Sequence, residues 1–166
     1  AFQEVDELSQ KSSAPLKEVV HRPYTRNTVL GLLARWGEGS AFNTWGVFAI
    51  AYATTQLDLP KVSVLISVTI AALVMAVLLP VSGVLTDRFG PKRVYLAGMI
   101  AYSVAVYPVF ALFGTANLVW FTVGLVAVFG VVHALFYGAQ GTLFASLYPT
   151  PVRYTGLSVV YQFSGI

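Results

Sequence analysis

Residues 83–93 read Gly-Val-Leu-Thr-Asp-Arg-Phe-Gly-Pro-Lys-Arg and lie between two long apolar runs, 62–85 and 94–113. At ~1.5 Å of rise per helical residue, each run is about long enough to cross ~30 Å of hydrocarbon. A connection this short between two such segments implies an αα-hairpin with its turn at a membrane surface. The turn gathers Asp87, Arg88, Lys92 and Arg93 in a chain of which only 10% is charged. Basic residues at such a turn hold it on the cytoplasmic side. Gly83 is expected to let two helices approach closely. Asp87 is expected to offer its carboxylate to a neighbouring helix N-terminus or a basic partner.

The rest of the composition agrees with a bilayer protein. The chain is 57% hydrophobic over 166 residues, with a mean hydropathy of +0.73. Its formal charge of +3 sits in loops with no basic–aromatic stripe, so no nucleic-acid partner is expected. Without cysteine there is no disulfide framework, thiol nucleophile or cysteine-based zinc site. Two histidines far apart make no metal centre, and no cofactor is implied. There is no nucleophile–base set and no phosphate-cradling glycine loop, so the chain does not read as an enzyme. The start, AFQEVDELSQKSS, has no initiator methionine and no apolar leader, and Ile166 falls inside an apolar segment. Both ends read as cut.

Residues 1–27 are polar and mixed in charge, with Ser12, Ser13 and Pro15 breaking two short amphipathic stretches. For the second stretch, residues 16–22, two readings are open: a helix on the membrane surface or a linker. The first expected span, 28–54, carries Arg35 and Glu38, which are costly in a bilayer and so face protein or water. Spaced i,i+3, they can pair on one helix face. At helical steps Arg35, Glu38, Phe42, Trp45, Ala49 and Tyr52 form one stripe, with Glu38 ~15 Å along the helix from Thr28. A substrate or proton site and a purely structural ion pair both fit this stripe.

A short loop, 56–61, leads to a second span that is featureless apart from Pro80. The third span carries Tyr95, suited to an interfacial belt, with Tyr102, Tyr107 and a bend at Pro108. The fourth apolar stretch, 118–147, exceeds what one crossing needs. It has Trp120 near the outer interface, then His133, Tyr137 and Gln140 at helical spacing. His133 reads either as a hydrogen-bonded packing residue or as part of a polar cavity or proton path, since imidazole titrates near neutral pH. In the loop 146–156, Pro149 and Pro151 end the preceding helix, and Thr155 is the expected N-cap of a fifth span starting at Gly156. The alternation of basic residues places the N-terminal segment, 86–93 and 146–155 in the cytoplasm.

Two of these loops carry a resemblance. Gly83-x-x-x-Asp87-Arg88-x-Gly90-x-Lys92 resembles the signature loop of the major facilitator superfamily. Ala145-Ser-Leu-Tyr-Pro-Thr-Pro-Val-Arg-Tyr-Thr-Gly156 is similar to the loop between the tenth and eleventh helices of its metabolite:proton symporter branch. Arg35, Glu38, Gly39, Phe42 and Tyr52 resemble that branch's seventh helix. The resemblance implies an all-α integral membrane fold, part of the C-terminal six-helix bundle. Residues 1–27 would end the central cytoplasmic linker, and 28–166 would be helices seven to ten and the start of eleven. It further implies a multi-pass cell-membrane protein that moves a small organic acid or zwitterion with protons by alternating access, with the N-terminal six-helix half as partner. Arg35, Glu38, Trp45, Tyr52, His133 and Gln140 would serve substrate binding or proton coupling. Gly83, Asp87, Arg88, Gly90, Lys92, Arg93 and Arg153 would belong to a gate. Two departures stand out: Ser146 replaces a glutamate that would partner Arg88, and Pro91 replaces a basic residue. The competing class is a non-transporting membrane interaction or scaffold subunit, whose charges only lock helices together.

Overall fold

An apolar segment with no polar face gains nothing from water exposure, and in a bilayer its backbone must bond within itself, so it forms a helix. The computed structural model describes residues 15–21 and 23–164, and its described elements are helical. In chain order they are α1 (Pro15–Val20), a continuous helix α2 over 25–55, α3 (Lys61–Phe89), α4 (Pro91–Phe113), α5 (Leu118–Ala145) and α6 (Thr150–Phe163). Three of them, α3, α4 and α5, are long and apolar enough to cross a membrane. The first part of α2, Thr25–Asn43, is less apolar because it carries Arg35, Glu38 and three glycines. The chain divides into two units, residues 1–39 with 142–166, and residues 40–141.

In the unit of residues 40–141, α5 is the central helix. Of its most apolar stretch 44% is buried, against 22% and 17% for α3 and α4. The featureless α3 turns one narrow face inward, Val64, Ser67, Ala71, Met75, Ser82 and Thr86 at steps of three, four and seven residues. Small residues on that face allow close approach. A Cβ added to Gly130 would stand 3.1 Å from the Ala71 carbonyl oxygen, and one on Gly138 would stand 2.6 Å from Ser82 Cβ. Ser82 donates to the Leu135 carbonyl at 2.7 Å, and Ser67 and Thr122 share a hydrogen bond of 2.7 Å.

Helices α2 and α5 each contain a π-helical stretch, Thr44–Phe48 and Val126–Val132. There the backbone bonds run five residues back, Ala49 N–H to Thr44 O and His133 N–H to Val128 O. Such widened turns re-aim the side chains beyond them. Within the first, Trp45 is buried, and after it Ala49 and Ala53. The expected stripe through Tyr52 is therefore displaced by one residue, and Tyr52 is only half-buried.

Several other expectations change. The charged turn shrinks to one residue, because α3 runs on to Phe89 and α4 begins at Pro91. Gly90 makes the corner at φ +86°, which costs a residue without Cβ little. Among the described residues Gly83 is not a close-approach point, since none of them lies within 4 Å of an added Cβ; that role falls to Gly98, where such an atom would be 2.9 Å from Phe136 N. Tyr95, expected to suit an interfacial belt, is buried and edge-on to Phe136. Thr155 is not an N-cap: α6 starts at Thr150, with Pro151 in its first turn, where a missing N–H costs nothing.

In the unit of residues 1–39 and 142–166, α1 does not lie free on a surface. Val19 is fully buried with Phe144, Tyr148, Val152 and Val160. Tyr148 donates to Thr28 Oγ1 at 2.9 Å, and Thr28 donates to the Val19 carbonyl at 2.7 Å. Asn27 donates to the Leu147 carbonyl at 2.8 Å. The expected break at Ser12 and Ser13, with Arg22, lies outside the described residues.

Candidate functional site

Arg35 and Glu38 stand one turn apart on α2, and the guanidinium Nη1 pairs with Glu38 Oε2. Glu38 is 1% exposed and the Arg35 side chain 24%. A carboxylate this deep needs a cation beside it, because an uncompensated buried charge is strongly destabilising. The opposite side of Arg35 is covered by Tyr161 of α6, whose ring centre lies 5.2 Å from the guanidinium carbon. The guanidinium retains donors beyond the pair, and Nε has no acceptor among the described residues. The sequence spacing foretold the pair. It gave no sign of Tyr161, which lies more than 120 residues away.

The other named residues fall in the unit of residues 40–141. Trp45 Nε1 donates to the Tyr102 hydroxyl at 2.9 Å, and the indole lies 5.6 Å from Phe110 and 6.1 Å from Phe113. Tyr52 packs on Phe48 and Phe110. His133, fully buried, is ringed by Phe42, Phe129, Phe136 and Tyr137 at centroid distances of 4.6 to 6.1 Å. Tyr102 also meets Phe136 at 5.7 Å. Trp45, Tyr52 and His133 thus belong to one aromatic cluster, joined by Tyr102, Phe110 and Phe136. Tyr102 and Phe110 carried no signal beyond their aromatic character, whereas Phe136 stands i,i+3 from His133 on the same helix.

Gln140 lies two turns beyond His133, is 1% exposed, and has no hydrogen-bond partner for either amide atom among the described residues. A buried amide left so is costly unless water or a ligand reaches it. Among the described residues no three histidine, cysteine or acidic side chains gather as metal ligands.

The residues expected at a gate are at helix ends. Asp87, Arg88, Lys92 and Arg93 are exposed at the α3–α4 corner, and among the described residues Asp87 forms no ion pair. Arg88 lies over the Phe89 ring at 5.4 Å. Arg153 is elsewhere, donating from Nε to the Tyr148 carbonyl at 3.2 Å. Ser146 donates to the Leu143 carbonyl at 2.6 Å, capping its own helix end.

Comparison with known proteins sets these features in a family. The chain is 28% identical over 172 residues to the inner membrane metabolite transport protein YhjE of Escherichia coli (strain K12), covering 99% of this chain and 38% of that protein. It is 24% identical over 119 residues to the shikimate transporter of the same organism, covering 72% of this chain and 27% of the relative. It is 25% identical over 147 residues to the ectoine/proline transporter ProP of Corynebacterium glutamicum, covering 87% and 29% respectively. The chain therefore spans well under half the length of these relatives. No solved structure matches it. Three apolar crossing helices and an inner-membrane relative identify a multi-pass protein of the cell membrane. The sequence profile of the Major Facilitator Superfamily matches residues 7–166, and the chain belongs to that family.

Proposed function

We propose that this chain is the C-terminal part of a secondary transporter that moves a small organic acid or zwitterion together with protons. In this reading 1–27 end the central linker, and 28–166 are helices seven to ten with the start of eleven. The observation that carries it is the Arg35–Glu38 pair: a buried carboxylate held by a cation that keeps donors to spare. The relatives are named for shikimate, and for ectoine and proline, compounds that share a carboxylate. A planar guanidinium binds that group through two parallel bonds. A substrate carboxylate arriving at Arg35 competes with Glu38, and Glu38, released from its cation, takes up a proton. The two events are thereby linked with no covalent step. His133 and Gln140 are second candidates for the proton path, and alternating access between two bundles supplies the transport cycle. The corner residues Gly83, Asp87, Arg88, Gly90, Lys92 and Arg93, with Arg153, are assigned to gating.

The test is the double variant Arg35→Met/Glu38→Leu in the full-length protein. A structural pair survives replacement by apolar residues of similar volume, because buried ion pairs are seldom more stabilising than good packing. A substrate and proton site does not. The expected result is normal membrane insertion with loss of concentrative uptake of labelled proline or shikimate. Uptake against a gradient with unchanged pH dependence would make the pair structural.

A further inference from the structure

A groove of about 440 Å³ opens on the unit of residues 40–141, where α3, α4 and α5 meet. Its floor is the small-residue side of α4, Ala97, Gly98 and Ala101, and its walls include Leu85 and Phe89 of α3 and Leu135 of α5. The sequence explains the shape. Gly98 lies against the backbone of Phe136, drawing α4 onto α5, while the alanines on either side leave the space above them unfilled.

The lining is apolar except at one end, where Arg93 stands. Arg93 is exposed, with Lys92 beside it and Arg88 on the last turn of α3. One acid, Asp87, shares that corner, and among the described residues no carboxylate pairs with Arg93. From Arg93 to Ala101 the helix rises ~12 Å, most of the ~15 Å that one leaflet contributes to a ~30 Å hydrocarbon core. An occupant must therefore be anionic at the helix start and apolar along a narrow track of that length. A further transmembrane helix, ~10 Å across, would lie over the groove without filling its narrow track.

We propose that this groove is a binding site for an anionic phospholipid, with the phosphate on Arg93 and one acyl chain along Ala97, Gly98 and Ala101. The inference rests on membrane insertion and the local geometry, and it stands whether or not the transport reading does. A basic residue at the membrane surface and an apolar track below it are the two elements that such a lipid needs.

The experiment places the full-length protein in phosphatidylcholine vesicles. A minority of the lipid, either phosphatidylglycerol or phosphatidylcholine, carries a photoactivatable acyl chain, and adducts are mapped by peptide mass spectrometry. Adducts within 85–101 should favour phosphatidylglycerol at least about fivefold, the preference expected of each basic residue near a bilayer surface. Arg93→Gln should lower the ratio about fivefold, leaving only what Arg88 and Lys92 sustain, and Ala97→Phe should remove adducts of both lipids by filling the track. Lys61→Gln, at the opposite end of α3, should leave the ratio unchanged. Equal labelling by the two lipids in the unaltered protein overturns the proposal. So does an absence of adducts in 85–101, as when another part of the chain covers the groove, and so does a preference that is undiminished in Arg93→Gln.

Discussion

Glycine changes its meaning with what stands opposite its missing Cβ. At Gly98 an added Cβ would lie 2.8 Å from Phe136 Cβ and 2.9 Å from its backbone nitrogen, and neither atom can swing away. At Gly83, which lies inside α3, none of the described residues stands within 4 Å. Gly98→Ala should therefore destabilise by ~1–3 kcal/mol through overpacking. Gly83→Ala should be neutral or gain up to ~1 kcal/mol of helix propensity. Thermal unfolding of both variants in detergent checks this, and equal midpoints would deny the close approach at Gly98. Tyr148 offers a second residue-scale test. Burial raises its phenol above the ordinary value of 10.0. The phenolate is thus disfavoured in the folded protein. The resulting stabilisation is complete below pH 10.0 and is lost as pH rises through the folded value. Phenolate absorbance of the folded wild type, less that of Tyr148→Phe, should show a tyrosine titrating later than free tyrosine. Thr28→Val, which strands the buried hydroxyl, should cost ~1–3 kcal/mol.

Helices were legible where length and apolarity decide them, and less so where packing does. The crossing segments α3, α4 and α5 were evident from uninterrupted apolar runs, because nothing competes with a helix for a chain in hydrocarbon. The π-helical stretches were not legible, since an inserted residue is visible only as a shift in which positions are buried. Ala41, Trp45, Ala49 and Ala53 step by four throughout, a drift that an undisturbed helix would turn out of the core. The fourth apolar run is longer than one crossing needs, but its length does not say where the widened turn lies. The ion pair and the His133–Phe136 contact were legible because i,i+3 spacing is local; Tyr161 and Tyr102 were not, because tertiary structure alone brings them to Arg35 and Trp45. The inward face of α3 is not legible in the sequence because serine and alanine scarcely stand out in a Val/Leu-rich segment. Its hydroxyls give an element-scale prediction. Ser82→Ala removes the bond to the Leu135 carbonyl but leaves that oxygen its helical partner, so the cost should be only ~0.6 kcal/mol, the average for such bonds in bilayers. Ser82→Leu, forced against the position where Gly138 has no side chain, should cost ~1–3 kcal/mol or more. A smaller effect for the leucine variant than for alanine, read as unfolding midpoints in one detergent, would mean that α3 and α5 are not packed there.

For the whole molecule, the two units divide within α2 and α5 and not at loops, so no break in composition could have announced them. What composition does announce is orientation. Arg88, Lys92 and Arg93 crowd the α3–α4 corner, whereas the α4–α5 connection, Gly114-Thr-Ala-Asn117, carries no charge. Basic residues close to the ends of crossing helices are retained in the cytoplasm during insertion, so the corner should be cytoplasmic and the uncharged connection external. The structure also selects the probes. Thr86, on the sequence a natural choice within the corner, is 3% exposed and donates to the Ser82 carbonyl, so a cysteine there would report burial instead of sidedness. Lys92 and Thr115 are both exposed. Single cysteines at these two positions, in a cysteine-free background, should react differently with a membrane-impermeant maleimide. Thr115→Cys should be labelled in intact cells, and Lys92→Cys only after the membrane is opened. Removing one of three cations leaves the local bias in place, and Thr115→Cys changes no charge, so neither substitution should alter the topology it measures. Labelling of Lys92→Cys in intact cells, with Thr115→Cys protected, would invert the assignment and move the gate proposed at Asp87 and Arg88 to the outer face.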